Sequence, residues 1–82
     1  MYKIMIIDDN HISVDGICHN IDWDSLNASV TCKAYDGQQA LDYLEKNEVD
    51  LIISDIEMPQ LNGLSLAQRA LEINSSIKII LI

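Results

Sequence analysis

Two apolar stretches of this 82-residue chain are too continuous to leave one side in water, and each runs directly into acid. Lys3-Ile4-Met5-Ile6-Ile7 ends in Asp8-Asp9. Leu51-Ile52-Ile53-Ser54 ends in Asp55, with Ile56-Glu57-Met58-Pro59 just after it. Strands buried on both faces belong to parallel sheets with covered sides. In such sheets, ligands bind at the edge where the strands end. Three carboxylates gathered there repel by roughly 4 kcal/mol per pair at about 4 Å and an effective dielectric of about 20. Such a cluster persists only if a cation joins it or protons neutralise it.

Between these runs the period changes. Val14, Ile17, Cys18 and Ile21 stand at i, i+3, i+4 and i+7, which predicts a helix from about Ile12 to Asn20, capped by Asp9 or Asn10. Residues 22–27 read as a loop, with Trp23 folding back over the helix end. Ala28, Val30, Cys32 and Ala34 alternate with Ser29, Thr31 and Lys33, as in a half-buried strand near a sheet edge. Asp36-Gly37 opens a second helix that carries Ala40, Leu41 and Leu44 inward and ends near Asn47. Val49 to Ser54 is the next strand. Gly63 to Ile73 reads as a third helix with Leu64, Ala67, Ala70 and Leu71 on its apolar side. Asn74-Ser75-Ser76 turns the chain into a last strand, Ile77 to Ile82. The order βαβαβαβ implies a doubly wound α/β fold: one parallel sheet, right-handed crossovers and helices on both faces.

Asp55 is the residue best placed for chemistry. A carboxylate at a strand end can attack phosphorus and form a mixed anhydride. An anionic phosphoryl group approaches three carboxylates only behind a cation, and Mg²⁺ is hard, octahedral and commonly held by one or two carboxylates with waters and phosphate oxygens. Asp9 is then a direct ligand, Asp8 acts directly or through water, and the backbone carbonyl of Glu57 offers a third protein oxygen. Plainer roles are open to the same residues: helix capping for Asp8-Asp9, and an Asx turn for Asp55. Pro59 enforces a turn and stops any helix before it. Two acidic strand ends in one small sheet are harder to explain by capping alone.

Composition narrows the classes. A net charge of −8, with only five scattered Lys and Arg, argues against direct nucleic-acid binding. Cys18 and Cys32 read as reduced core thiols rather than a disulfide or metal pair. No apolar run approaches a membrane span, and the expectation is a cytoplasmic protein with no membrane partner. A chain this short buries only about 60–65% of its unfolded surface, so it makes one domain with a small core.

KIMIIDD at residues 3–9, DLIISDIEMP at residues 50–59 and Asn62-Gly63 resemble, in order and spacing, the receiver domain of bacterial response regulators, the CheY-like family. Asp36-Gly37 with Ala40-Leu41 matches that family's second helix entry. The resemblance implies a CheY/flavodoxin-like sheet with strand order 2-1-3-4 and phosphoryl transfer from a sensor histidine kinase onto Asp55. It implies Mg²⁺ held by Asp8, Asp9, Asp55 and the Glu57 carbonyl. It implies control of an output, with transcription the expected one. Ile21-Asp22-Trp23 is similar to receivers joined to AraC-type DNA-binding domains, so a C-terminal DNA-binding output domain is an implied partner. The resemblance also implies a fifth strand, two more helices, a hydroxyl residue just past the fourth strand and a lysine ending the fifth. Residues 1–82 stop short of these, and are expected to form an incomplete receiver domain. Asn10 stands where the family more often has Glu.

Other classes are weighed against this one. A truncated, non-switching interaction module would associate as a homodimer or swapped assembly through Ile77–Ile82, since an open apolar strand is a template for pairing. An aspartate-nucleophile phosphatase would resemble Asp-x-Asp, whereas Glu57 and Met58-Pro59 follow here; the chain is not expected to be an enzyme. A flavodoxin would need a first loop that cradles phosphate with N–H donors, and this one is acidic.

Overall fold

The computed structural model describes residues 1–58 and 61–82. Its elements are β1 (Tyr2–Ile7), α1 (His11–Asn20), β2 (Ala28–Ala34), α2 (Gly37–Lys46), β3 (Leu51–Ser54), α3 (Gly63–Ile73) and β4 (Lys78–Leu81). The four strands form one parallel sheet in the order β2-β1-β3-β4, the expected arrangement. β3 and β4 are shorter than the apolar runs that announce them. A single 3₁₀ turn, Asp24–Leu26, occupies the loop before β2.

Each helix starts on a side-chain cap. Asn10 Oδ1 accepts from the Ile12 and Ser13 N–H groups at 2.9 and 3.3 Å, so Asn10 caps α1 and leaves Asp9 free of that role. Asp36 Oδ1 accepts from Gln39 N–H at 2.8 Å, while Gln39 Oε1 takes the Tyr35 N–H at 2.9 Å. Asn62 accepts from Ser65 N–H at 2.9 Å. Caps of this kind contribute about 1 kcal/mol each. At the far end of α1, Trp23 does fold back, and its indole N–H donates to the Cys18 carbonyl at 3.1 Å.

Two apolar layers enclose the sheet. Ile4, Ile6, Ala28 and Ile53 pack under α1 through Val14, Ile17 and Cys18. Met5, Ile7, Ala34 and Ile52 pack under α2 and α3 through Ala40, Leu41, Leu44, Leu66 and Ala70. β1 and β3 therefore face core on both sides, which is why their sequences are continuously apolar. Cys18 and Cys32 are free thiols in different layers.

Two details correct the sequence reading. The alternation in β2 does not place its small residues on one face. A register shift between Ile4 and Met5 pairs Ile4 with Val30 but Met5 with Cys32, so Thr31 is bulged. An extra residue reverses the parity of a strand. Ala28 and Val30 thus join the α1 layer while Cys32 and Ala34 join the other, and Lys33 reaches Asp15 of α1 at 3.6 Å. In α3 the inward residues are Gly63, Leu66 and Ala70, whereas Leu64 and Leu71 are exposed. Those two leucines lie outside the stripe that the docked helix buries.

The central pairing of β1 with β3 is fastened at its start by Asp50. Its carboxylate accepts from the Lys3 N–H at 2.7 Å, its N–H donates to the Lys3 carbonyl at 2.8 Å, and its carbonyl accepts from Lys78 N–H at 3.0 Å. Asp50→Ala removes only the side-chain bond. Urea unfolding of this variant is expected to show a loss of about 1 kcal/mol, the usual net value of one hydrogen bond, with an unchanged m-value.

Candidate functional site

Register decides which side chains meet. Ile4, Met5, Ile6 and Ile7 pair with Leu51, Ile52, Ile53 and Ser54. Asp8 and Asp55 are the next residues of the two strands, so they leave the sheet side by side, with Asp9 one step beyond. Backbone bonds continue past the strands to hold this edge: Asp55 N–H donates to the Ile7 carbonyl at 3.0 Å, and Asp8 N–H to the Ala34 carbonyl at 3.1 Å. One carboxylate oxygen from each of Asp8, Asp9 and Asp55 lies within 4.8 Å of the others. An acidic cluster of three carboxylates is thus assembled at the carboxyl end of a parallel sheet, from segments almost fifty residues apart.

The Asx turn open to Asp55 is realised alongside, while the capping of α1 falls to Asn10 and not to Asp8 or Asp9. Asp8 Oδ1 accepts from Asn10 N–H at 3.0 Å, and Asp55 Oδ1 accepts from Glu57 N–H at 3.3 Å. The carboxylates of Asp8 and Asp55 each close an Asx turn as well as meeting in the cluster. Glu57 is exposed, two residues past Asp55 in the same loop. Pro59 lies outside the described residues. Lys78 begins β4 at the opposite end of the sheet, as its position early in the strand implies. Among the described residues no lysine or arginine forms an ion pair with the cluster. His11, at the start of α1, is stacked on Tyr35, with ring centroids 3.8 Å apart and planes 8° from parallel. His19 sits in the last turn of α1.

Two residues beside Asp55 carry more weight than their sequence positions suggest. Ser54 is 1% exposed and its hydroxyl donates to the Asp55 carbonyl at 2.9 Å. Gly63 is buried against the Asp55–Ile56 peptide and donates its N–H to the Ile56 carbonyl at 2.8 Å. In the sequence the glycine is legible as a helix start and as part of the family resemblance, not as a contact of the Asp55 peptide. Its fixed distance behind Asp55 was the available signal.

The cluster is unevenly solvated. Asp9 is exposed, Asp55 half-buried and Asp8 only 8% exposed. Burial pushes the Asp8 carboxyl above its ordinary value, and the neighbouring charges of Asp55 and Asp9 push the same way, against the Asn10 N–H. A carboxyl with a raised folded-state value binds its proton more tightly folded than unfolded, so its stabilising contribution is full below the ordinary carboxylate range. That contribution is lost as pH climbs through the raised value. Asp8→Asn stays uncharged throughout. Thermal melts in chelator are expected to show the variant more stable than the parent at pH 7, with the gap closing as pH falls toward 4.

Residues 4–82 match the response regulator receiver domain. The transcriptional regulatory protein YesN of Bacillus subtilis (strain 168) is 34% identical over all 82 residues, which make up 22% of that protein. The receiver domain of AraT, a response regulator from Geobacillus stearothermophilus, superposes with a TM-score of 0.91 at 35% identity, over 98% of this chain and 62% of that one. A two-component transcriptional regulator AraC from Clostridium phytofermentans gives 0.89 at 26% identity, over 99% of this chain and 65% of the other. The chain therefore spans about a fifth of its curated relative and under two thirds of these solved chains. No helix of the described residues is long and apolar enough to cross a membrane. Match, superposition and acidic edge agree: the chain belongs to the response regulator receiver domain family, signalling domains that pair with histidine kinases and, in response regulators, with output domains.

Proposed function

We propose that Asp55 accepts a phosphoryl group from the phosphohistidine of a sensor histidine kinase, with Mg²⁺ at the acidic edge. The observation that carries this reading is the meeting of Asp8, Asp9 and Asp55 within 4.8 Å at the ligand-binding end of the sheet. The donor set is all oxygen and strongly anionic, which suits a hard divalent cation. Asp9 and Asp55 supply carboxylate oxygens directly, Asp8 directly or through water, and the Glu57 carbonyl adds a neutral one. When bound, the ion neutralises the carboxylates and the incoming phosphoryl oxygens.

Asp55 itself supplies the nucleophile. A carboxylate oxygen forms the new O–P bond as the N–P bond of the phosphohistidine breaks, and the departing imidazole recovers a proton from solvent. Asp55 is the acceptor because it is half-open to solvent at the end of β3, whereas Asp8 is enclosed and raised toward its protonated form. The likeness to YesN and to the AraC regulator supports a transcriptional output, for which a DNA-binding domain on the same polypeptide is the expected form, in a cytoplasmic two-component system. The 82 residues are then the first part of a longer receiver, and the segment carries no enzyme activity of its own.

Incubation with a small-molecule phosphodonor and Mg²⁺, followed by intact-mass measurement, tests the reading. One phosphoryl adduct is expected, absent from Asp55→Asn and absent in chelator. An adduct that survives Asp55→Asn, or none at saturating donor, refutes the assignment.

A second reading concerns assembly, and the edge of β4 favours it. Lys78 N–H and Ile82 N–H donate to the Asp50 and Ser54 carbonyls, so alternate peptides of β4 point at β3. The peptides of Ile79 and Leu81 then point away, and among the described residues no strand receives them. Ile80 and Ile82 are 48% and 56% exposed beside them. Such an edge recruits another strand. The isolated 82-residue segment is expected to form a homodimer or swapped assembly through Ile77–Ile82. In size-exclusion chromatography with light scattering, Ile80→Lys is expected to shift it to monomer, and a parent that is monomeric at high concentration excludes the assembly.

A further inference from the structure

The peptide that carries Asp55 is gripped from four sides. Its N–H is held by the Ile7 carbonyl of β1 at 3.0 Å, and its carbonyl accepts the hydroxyl of Ser54 at 2.9 Å. The next residue, Ile56, donates its N–H to the Ile82 carbonyl at 3.2 Å, and its carbonyl accepts from Gly63 N–H at 2.8 Å. Gly63 also sits so closely that a Cβ there would collide with the Asp55 carbonyl oxygen, lie 3.0 Å from Ile56 Cα and lie 3.2 Å from the Asp55 carbonyl carbon. These are backbone atoms, so no side chain can swing aside to make room. Helix α3 thus begins flush against the acceptor peptide, and only a residue without a side chain lets it do so.

Ser54 presses the same carbonyl from the other direction. It is buried and polar in a strand whose other residues are Leu and Ile, and its hydroxyl is spent on this one bond. A buried Ala or Val would fill that position without a polar atom to satisfy. The hydroxyl therefore restrains the rotation of the Asp55 peptide, which sets the direction in which the acceptor carboxylate and the following Glu57 carbonyl leave the strand. Groups that orient metal ligands without touching the ion commonly govern affinity by 10–100-fold.

We propose that Gly63 and Ser54 are positioning residues for the acidic site, clamping the Asp55 peptide so that its carboxylate meets those of Asp8 and Asp9. This rests on the reading of the cluster as a divalent-cation site. The clamp acts on backbone: Gly63 by admitting the helix start and donating to Ile56, Ser54 by fixing the carbonyl between them.

The test is Mg²⁺ affinity measured by calorimetry on folded protein. Parent, Gly63→Ala, Ser54→Ala and Ser54→Thr are compared with Val49→Ala, a core truncation outside the strands at the opposite end of the sheet. Gly63→Ala and Ser54→Ala are expected to weaken Mg²⁺ by about tenfold, with Ser54→Thr restoring most of it through its hydroxyl. Val49→Ala is expected to lower the melting temperature and leave Mg²⁺ affinity unchanged. If Gly63→Ala does not fold, Ser54→Ala and its Thr rescue decide the matter. Parent-like affinity in Ser54→Ala, or an equal loss in Val49→Ala, overturns the clamp while leaving the cation site standing. A parent that binds no divalent cation sinks both.

Discussion

Everything at the acidic edge depends on how β1 is aligned against β3. Side chains of a strand alternate between faces with period two, so a slip by one residue would send Asp55 to the wrong side of the sheet. Asp50 opposes such a slip at one end by bonding both ways with Lys3. Asp55 opposes it at the other through its N–H to Ile7. Four paired residues lie between these fasteners, every one of them apolar except Ser54. Burial on both faces makes the alignment costly to change, since moving it exposes two layers at once. The geometry of the acidic cluster is thus a by-product of the doubly covered centre of the sheet.

That security is set against a local conflict. Asp8 follows a fully buried run and inherits its burial, so its charge is held where water cannot screen it well. Apolar strands and a protonation-prone acid at their end are consequences of one packing arrangement. A divalent ion would convert the conflict into a binding energy, because the same unfavourable charge that raises Asp8 attracts the cation. Stability of the fold and affinity for such an ion would therefore be linked, since the buried Asp8 charge weakens the ion-free protein. Such trade-offs are common at functional sites.

Much of this was legible in the sequence, for identifiable reasons. Period and capping residues fixed the helices, since Asn10, Asp36 and Asn62 each stand just before a periodic stretch and each proves to be a cap. The acids of the site stood out because they terminate runs too apolar to be anything but central strands. The bulge at Thr31 was not legible, because a perfect alternation in residues 28–34 hides an insertion that only the pairing with β1 reveals. Leu64 and Leu71 were misjudged because apolarity says a residue prefers burial, and does not say which neighbour supplies it. Gly63 was legible as a helix start and as part of the family pattern, and Ser54 as a strand end, but their contacts with the Asp55 peptide are with backbone, which side-chain pattern does not report.

The Asp55–Ile56 segment also ties three elements together. Ile56 receives α3 through Gly63 and reaches the end of β4 through Ile82, while Asp55 is tied to β1. A phosphoryl group and a cation arriving at Asp55 would alter the forces on this one short peptide run. Because the contacts are backbone hydrogen bonds and a close glycine approach, they are stiff, and a displacement there cannot be absorbed by side-chain rotation. It must be passed to the start of α3 or to the end of β4. Backbone hydrogen bonds thus connect Asp55 and Ile56 to β1, to the start of α3 and to the end of β4 at once.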